Sequence, residues 1–143
     1  MNTMKSALLL ARQGLAAALC ATAISPAAAG LEILDLGSEW QGRYVDEQGG
    51  EMIIQYNAGA LEIFASDRGS HYRLVCIVDS KAKTRASCVG DGINHQRAPT
   101  RFTYRSKLVR ADAATLQEEW EASFPGADSS GKTVFRAERS SAR

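Results

Sequence analysis

Cys76 and Cys88 stand inside two short runs whose apolar residues alternate, and no other feature of the chain restricts its fold as much. Tyr72, Leu74, Cys76 and Val78 share one parity and Arg73, Val75, Ile77 and Asp79 the other, as the two faces of a strand require. After Ser80-Lys81-Ala82-Lys83 the chain resumes as Thr84-Arg85-Ala86-Ser87-Cys88, with Ala86 and Cys88 on one parity. A tight loop centred near Ala82 sets Cys76 directly opposite Cys88. In a non-hydrogen-bonded antiparallel pair the Cα atoms approach to about 4.5 Å, a separation a disulfide tolerates. The stretch is predicted to be a β-hairpin closed by a Cys76–Cys88 disulfide that stabilises the fold by about 3 kcal/mol on the chain-entropy model. Two buried free thiols are the alternative.

A disulfide needs an oxidising compartment, and the N-terminus supplies the route to one. Met1 to Gln13 carries Lys5 and Arg12 and no acid, Gly14 to Ile24 is apolar, and Ser25-Pro26-Ala27-Ala28-Ala29 offers a small-residue cleavage site. This order predicts a secretory signal peptide over residues 1–29, cleaved after Ala29. The apolar run is too short to span a bilayer. Cys20 falls in the discarded segment, where it follows Leu19 rather than the small residue that precedes a lipidated cysteine. What remains, residues 30–143, is predicted to be one domain of a periplasmic or secreted protein, with an even count of two cysteines. Loss of the leader removes two basic and no acidic side chains, leaving 15 basic against 16 acidic and a net charge of −1. Nucleic-acid binding, which needs a strongly basic domain, is not expected. No later segment is long and apolar enough for a membrane span.

Alternation recurs along the rest of the chain. Leu31 to Leu36 reads as a lead-in strand or a loop. Glu39 to Val45 puts Trp40, Gly42 and Tyr44 on one face, Glu51 to Tyr56 groups Met52, Ile54 and Tyr56, and Ala60 to Ser66 groups Leu61, Ile63 and Ala65. Asp46 to Gly50, Asn57-Ala58-Gly59 and Asp67 to Ser70 are turn signals between them. Beyond an irregular stretch over 91–100, Phe102, Tyr104, Ser106 and Leu108 alternate with Arg101, Thr103, Arg105 and Lys107. Lys132 to Glu138 alternates again. Thr115 to Phe124 fits either a helix or a strand, because Leu116, Trp120 and Phe124 are spaced by four. The strand is preferred: its neighbours are strands, and it sets Glu119 and Glu121 beside Lys107 and Arg105, pairs that select register rather than hold the fold. Eight short strands with turns about every ten residues indicate an all-β domain, and sequential hairpins favour a small antiparallel up-and-down barrel.

A Trp soon after a Gly, followed by eight meandering strands, resembles the lipocalin-like (calycin) barrels. Those open with Gly-x-Trp and often set an Arg from a late strand against the Trp. The chain has Gly37-Ser38-Glu39-Trp40, one residue longer than the motif, and the resemblance implies Arg136 or Arg139 for the Arg. It implies a non-enzymatic binding protein for a small apolar ligand. The chain is also similar to small periplasmic lysozyme inhibitors in being exported, short, all-β and disulfide-closed, which implies a protein-binding module acting on a cell-envelope enzyme.

The inferred inner face is aromatic: Trp40, Tyr44, Tyr56, Tyr72, Phe102, Tyr104, Trp120 and Phe135. Such rings line an apolar pocket with tyrosine hydroxyls as anchors, or fill the core. Eight short strands permit both, and the filled core is preferred on geometry. Trp40, Tyr44, Tyr72, Tyr104 and Trp120 are the aromatic candidates for ligand contact. Glu118 joins them because it points inward opposite Ser106 or Leu108, where a carboxylate needs a partner or a proton. A ligand's polar end, an Arg such as Arg136, or water at the barrel mouth would each meet that need. Ile93, Asn94, His95 and Arg97 in the 91–100 stretch are the candidates for contact with another protein, against a plain connection. Gly90 and Gly92 read as turn residues. His71 and His95 form no metal-ligand spacing, no Ser-His-Asp or Cys-His set is visible, and neither a metal, a cofactor nor an enzymatic activity is expected.

Overall fold

The computed structural model describes residues 35–138. The predicted leader with Cys20, most of the Leu31–Leu36 lead-in, and Arg139 lie outside the described residues. A single 3-10 turn, Ser38–Trp40, leads into eight strands: β1 (Gly42–Asp46), β2 (Glu51–Asn57), β3 (Ala60–Asp67), β4 (Ser70–Val78), β5 (Arg85–Asn94), β6 (Thr100–Arg110), β7 (Thr115–Phe124) and β8 (Ala127–Ala137). Each pairs antiparallel with the next, and β8 returns to β1 through Tyr44↔Ala137, Val45↔Arg136 and Asp46↔Phe135. This is the expected closed eight-stranded antiparallel up-and-down barrel. Closure leaves neither β1 nor β8 as a full open edge.

Alternation and burial coincide. Along β4 every second residue from Ser70 to Val78 is buried and the others are exposed, as a half-buried strand requires. Cys76 stands opposite Cys88, with Cα atoms 4.0 Å apart and the disulfide formed. Thr115 to Phe124 is a strand, paired to β6 through Lys107↔Glu119 and Arg105↔Glu121. Glu118 faces Leu108 across that ladder.

Three boundaries differ from the sequence expectation. Trp40 is not a strand residue: it closes the 3-10 turn, held by Trp40 N–H donating to Gly37 O at 3.0 Å. β8 begins at Ala127 rather than Lys132, because Ala127 to Gly131 pair with Trp120 to Phe124 and this partner outweighs the poor strand propensity of Asp128-Ser129-Ser130-Gly131. β5 runs on to Asn94 through Ile93↔Arg101 and Asn94↔Thr100, so the irregular stretch shrinks to residues 95–99.

The connections alternate between two ends. The β2–β3, β4–β5 and β6–β7 turns share one end with the 3-10 turn, and that end is sealed. Trp40 is fully buried there, its Nε1–H donating to Lys83 O at 3.2 Å, while Tyr44 O–H donates to Trp40 O at 3.1 Å. The Arg that reaches this turn is Arg110, at the end of β6: its Nη1 donates to Glu39 O at 3.2 Å and its Nη2 pairs with the Glu39 carboxylate. Arg136, expected in that role, instead points outward between Val45 and Thr115 and is exposed. Above the turn, Met52, Ile54, Leu61, Ile63, Leu74, Leu108 and Leu116 are packed without exposure to speak of.

Candidate functional site

The other end carries the β1–β2, β3–β4, β5–β6 and β7–β8 turns, and it is open. A cavity of about 290 Å³ runs down from these turns into the barrel. Its walls are Tyr72 (β4), Phe102 and Tyr104 (β6), Trp120, Ala122 and Phe124 (β7) and Phe135 (β8). The interior is therefore filled in one half and hollow in the other. Neither of the two sequence readings, pocket or solid core, describes the whole barrel.

Glycines on inward positions of β5 let the rings that wall the hollow half come together. Gly90 and Gly92 are not turn residues, as their type suggested, but lie inside β5 with partners on both sides: Gly92 between Tyr72 and Phe102, Gly90 between Leu74 and Tyr104. A Cβ at Gly92 would stand 2.6 Å from Phe102 Cζ and 2.6 Å from Tyr72 Cβ. With no side chain rising from β5 at these levels, rings from β4 and β6 meet above it. Tyr72 and Tyr104 stack with centroids 4.7 Å apart, and Trp120 continues the row at 6.0 Å from Tyr104 with planes 15° apart. Phe102 and Phe124 form a second pair at 4.8 Å. Trp120 is held from the far side, where its Nε1–H donates to Thr133 Oγ1 at 3.1 Å. The result is a continuous aromatic wall with the tyrosine hydroxyls on it.

Glu118 lies at the base of this wall. It is 2% exposed and lines the cavity with Thr133 and Phe135. Burial pushes its carboxyl from the ordinary 4.5 up to about 7, with Asp67 adding to the rise, while the Ser106 and Tyr104 hydroxyls beside it pull the other way. Those hydroxyls do not complete its shell: among the described residues Glu118 Oε1 and Ser106 Oγ have no hydrogen-bond partner of good geometry. Burial together with the Glu118 charge also raises the Tyr72 and Tyr104 hydroxyls, so both remain protonated.

Two more carboxylates stand higher, at the mouth. Asp46 Oδ1 accepts from Gln48 N and Gly50 N, both at 2.7 Å, and Asp67 Oδ1 accepts from Ser70 N at 3.2 Å. Arg68 is the one basic residue of the lining. The rim is tied together: Asn94 Nδ2 donates to Ser70 Oγ at 2.8 Å, Gln96 Nε2 to Arg68 O at 2.6 Å, and His95 N to Gly69 O at 2.6 Å.

Of the six residues expected to touch a ligand, four converge here: Tyr72, Tyr104, Glu118 and Trp120. Trp40 and Tyr44 do not, because they belong to the sealed end. Phe124, Asp46 and Asp67 join the site from positions that read as a strand end and two turns. Of the expected protein-contact residues, Ile93 and Asn94 are strand residues and Asn94 lines the cavity, while His95 and Arg97 are exposed on the 95–99 loop. A wider hollow of about 620 Å³ crosses the outside of β4 to β8 among Ile77, Arg85, Lys107, Glu119 and Lys132. Apart from Glu118, which borders both hollows, its charged side chains lie at the surface, with Lys132 paired to Glu119.

No family model and no curated protein matches this chain. Among solved structures it is similar to apo shwanavidin in its P1 crystal form, at 17% identity and a TM-score of 0.49, over 68% of this chain and 94% of that one.

Proposed function

We propose that this chain is a non-enzymatic binding protein that holds one small molecule in the open half of its barrel, and that it works in the periplasm or as a secreted protein once residues 1–29 are removed. The observation that carries the reading is a hollow walled by Tyr72, Tyr104, Trp120, Phe102 and Phe124 that ends on a buried carboxylate with an unpartnered oxygen. Unfilled apolar volume and an unsatisfied buried acceptor are both unfavourable in a barrel that serves only as scaffold. A ligand that covers the rings and donates to Glu118 offsets both. The volume lies at the small end of ligand pockets, so the occupant is about the size of one ring system with a short substituent. The leader and the disulfide support export.

Trp120 reports on the site directly. In a Trp40→Phe background it is the sole tryptophan, and its emission is expected to shift as ligand enters. Native mass spectrometry of protein released from the exported fraction should show an added small-molecule mass that disappears on denaturation. Protein that carries no added mass, and whose Trp120 emission ignores a library of small aromatic compounds, would overturn the reading.

A further inference from the structure

The chemistry of the occupant is legible in how charge is distributed over the lining. Three carboxylates face the cavity, Glu118 at its base from β7, Asp67 at the end of β3 and Asp46 at the end of β1, against a single cation, Arg68, at the rim. The fields of both aspartates reach the interior, since Asp67 and Asp46 act on Tyr72 and Asp67 also on Glu118. Among the described residues, the neutral groups around Glu118 on the cavity side are Tyr104 and Ser106 from β6, Tyr72 from β4 and Thr133 from β8. Apart from Arg68 at the rim, no Lys, Arg or His side chain among the described residues lines that cavity, and Arg85, Lys107 and Lys132 share only the outer hollow with Glu118. A buried carboxylate without a basic partner is a costly arrangement unless a bound group brings the positive charge.

We infer that the ligand is a small organic cation, an ammonium on an aromatic or apolar body, whose nitrogen donates to Glu118 Oε1 while the body lies along the Tyr72–Tyr104–Trp120 row. The inference rests on the small-molecule reading and narrows it from an apolar ligand to a charged one. Near neutral pH part of the Glu118 population is protonated, so binding of an ammonium expels a proton from the carboxyl, and the complex forms less well as the medium becomes acidic.

Matched probes separate the two ideas. 2-Phenylethylamine and 2-phenylethanol share a body and differ in the charged nitrogen, and calorimetry with the full chain measures both. The amine is expected to bind at least about tenfold more tightly at pH 8, and between pH 6 and pH 7, where the carboxyl still carries a proton, its release is visible as a dependence of the heat on buffer ionisation. Its advantage should shrink by about tenfold between pH 8 and pH 6, as a carboxyl titrating near 7 takes up its proton. In Glu118→Gln the ratio of amine to alcohol affinity should fall close to one. The pH series on the unmutated protein gives the same answer without relying on that variant's folding. Equal binding of amine and alcohol, or an amine preference that survives both low pH and Glu118→Gln, overturns the cation and leaves the binding protein standing. Binding of neither probe overturns both.

Discussion

The barrel has two tryptophans, one at each end, and they do different work. Trp40 is fully buried under the 3-10 turn, with its indole N–H bonded to the backbone of the β4–β5 loop. Trp120 is half-buried, bonded to a threonine hydroxyl, and lines a cavity. Around Trp40 the inward residues are Met, Ile and Leu packed to full burial; around Trp120 they are rings, glycines and a carboxyl. Aliphatic side chains on adjacent strands interdigitate and leave little space. Flat rings set over glycines do not, and the volume they leave is the site. One half of the same eight strands supplies stability, and the other gives some of it up to keep a hollow.

Mutations that treat the two halves alike should expose the contrast. Trp40→Ala is expected to cost about 4 kcal/mol, in the usual range for a large aromatic lost from a packed core, and Trp120→Ala about 2 kcal/mol, since part of its surface is already outside the packing. Denaturant unfolding of the two variants decides. Equal losses would mean that the open half is packed as tightly as the sealed one. Next in size, replacing Cys76 and Cys88 by Ala together should cost about 3 kcal/mol, because the bridge constrains the unfolded chain between the β4 and β5 partners. Ligand affinity should be little changed, since neither cysteine lines the cavity. A loss of affinity out of proportion to stability would tie the two halves together more closely than their lining residues suggest.

Glu118 gives the hollow half a pH signature. Its carboxyl titrates near 4.5 when exposed in the unfolded chain and at about 7 in the barrel, so between these values the folded state binds more protons. Stability therefore falls as pH rises through this window, with the penalty absent below about 4.5 and complete above about 7. The full span is about 3 kcal/mol. Glu118→Gln, neutral at every pH, should remove that slope and be the more stable protein at pH 8, as read from thermal unfolding at pH 5 and pH 8. A slope that persists in the variant would assign it to other groups.

How far these halves could be read in advance follows from what each depends on. Strict alternation in β4 and β5 was enough to place Cys76 against Cys88, and the charge complementarity of Arg105 and Lys107 with Glu121 and Glu119 was enough to set the β6–β7 register, which in turn turned Glu118 inward. The hollow was not legible because it depends on lateral neighbours. Gly90 and Gly92 look like turn residues until β4 and β6 are known to flank them with Tyr72, Phe102 and Tyr104. Asp46 and Asp67 read as turn residues and are the last residues of β1 and β3, and the turns they shape form the mouth of the cavity. Trp40 fell on the same parity as Gly42 and Tyr44 and so read as strand, when the backbone had already entered the 3-10 turn that seals the far end.

Gly131 tests the boundary between the two halves with the smallest change. It faces Trp120 across the β7–β8 ladder, and a Cβ there would lie 2.7 Å from Cζ2 and 3.0 Å from Cε2 of the indole. Rigid ring atoms at that distance have to move, and the cavity that Trp120 lines offers space for the shift. Gly131→Ala should therefore push the ring inward, at a cost of about 1 kcal/mol that is partly offset by the lower chain entropy of Ala in a strand. Stability should change little while affinity for an aromatic ligand drops several-fold and Trp120 emission shifts in the Trp40→Phe background. If unfolding instead showed a loss as large as that for Trp40→Ala, with affinity preserved in the folded fraction, the glycine would be serving tight packing. The open half would then be a core with a dent in it rather than a site.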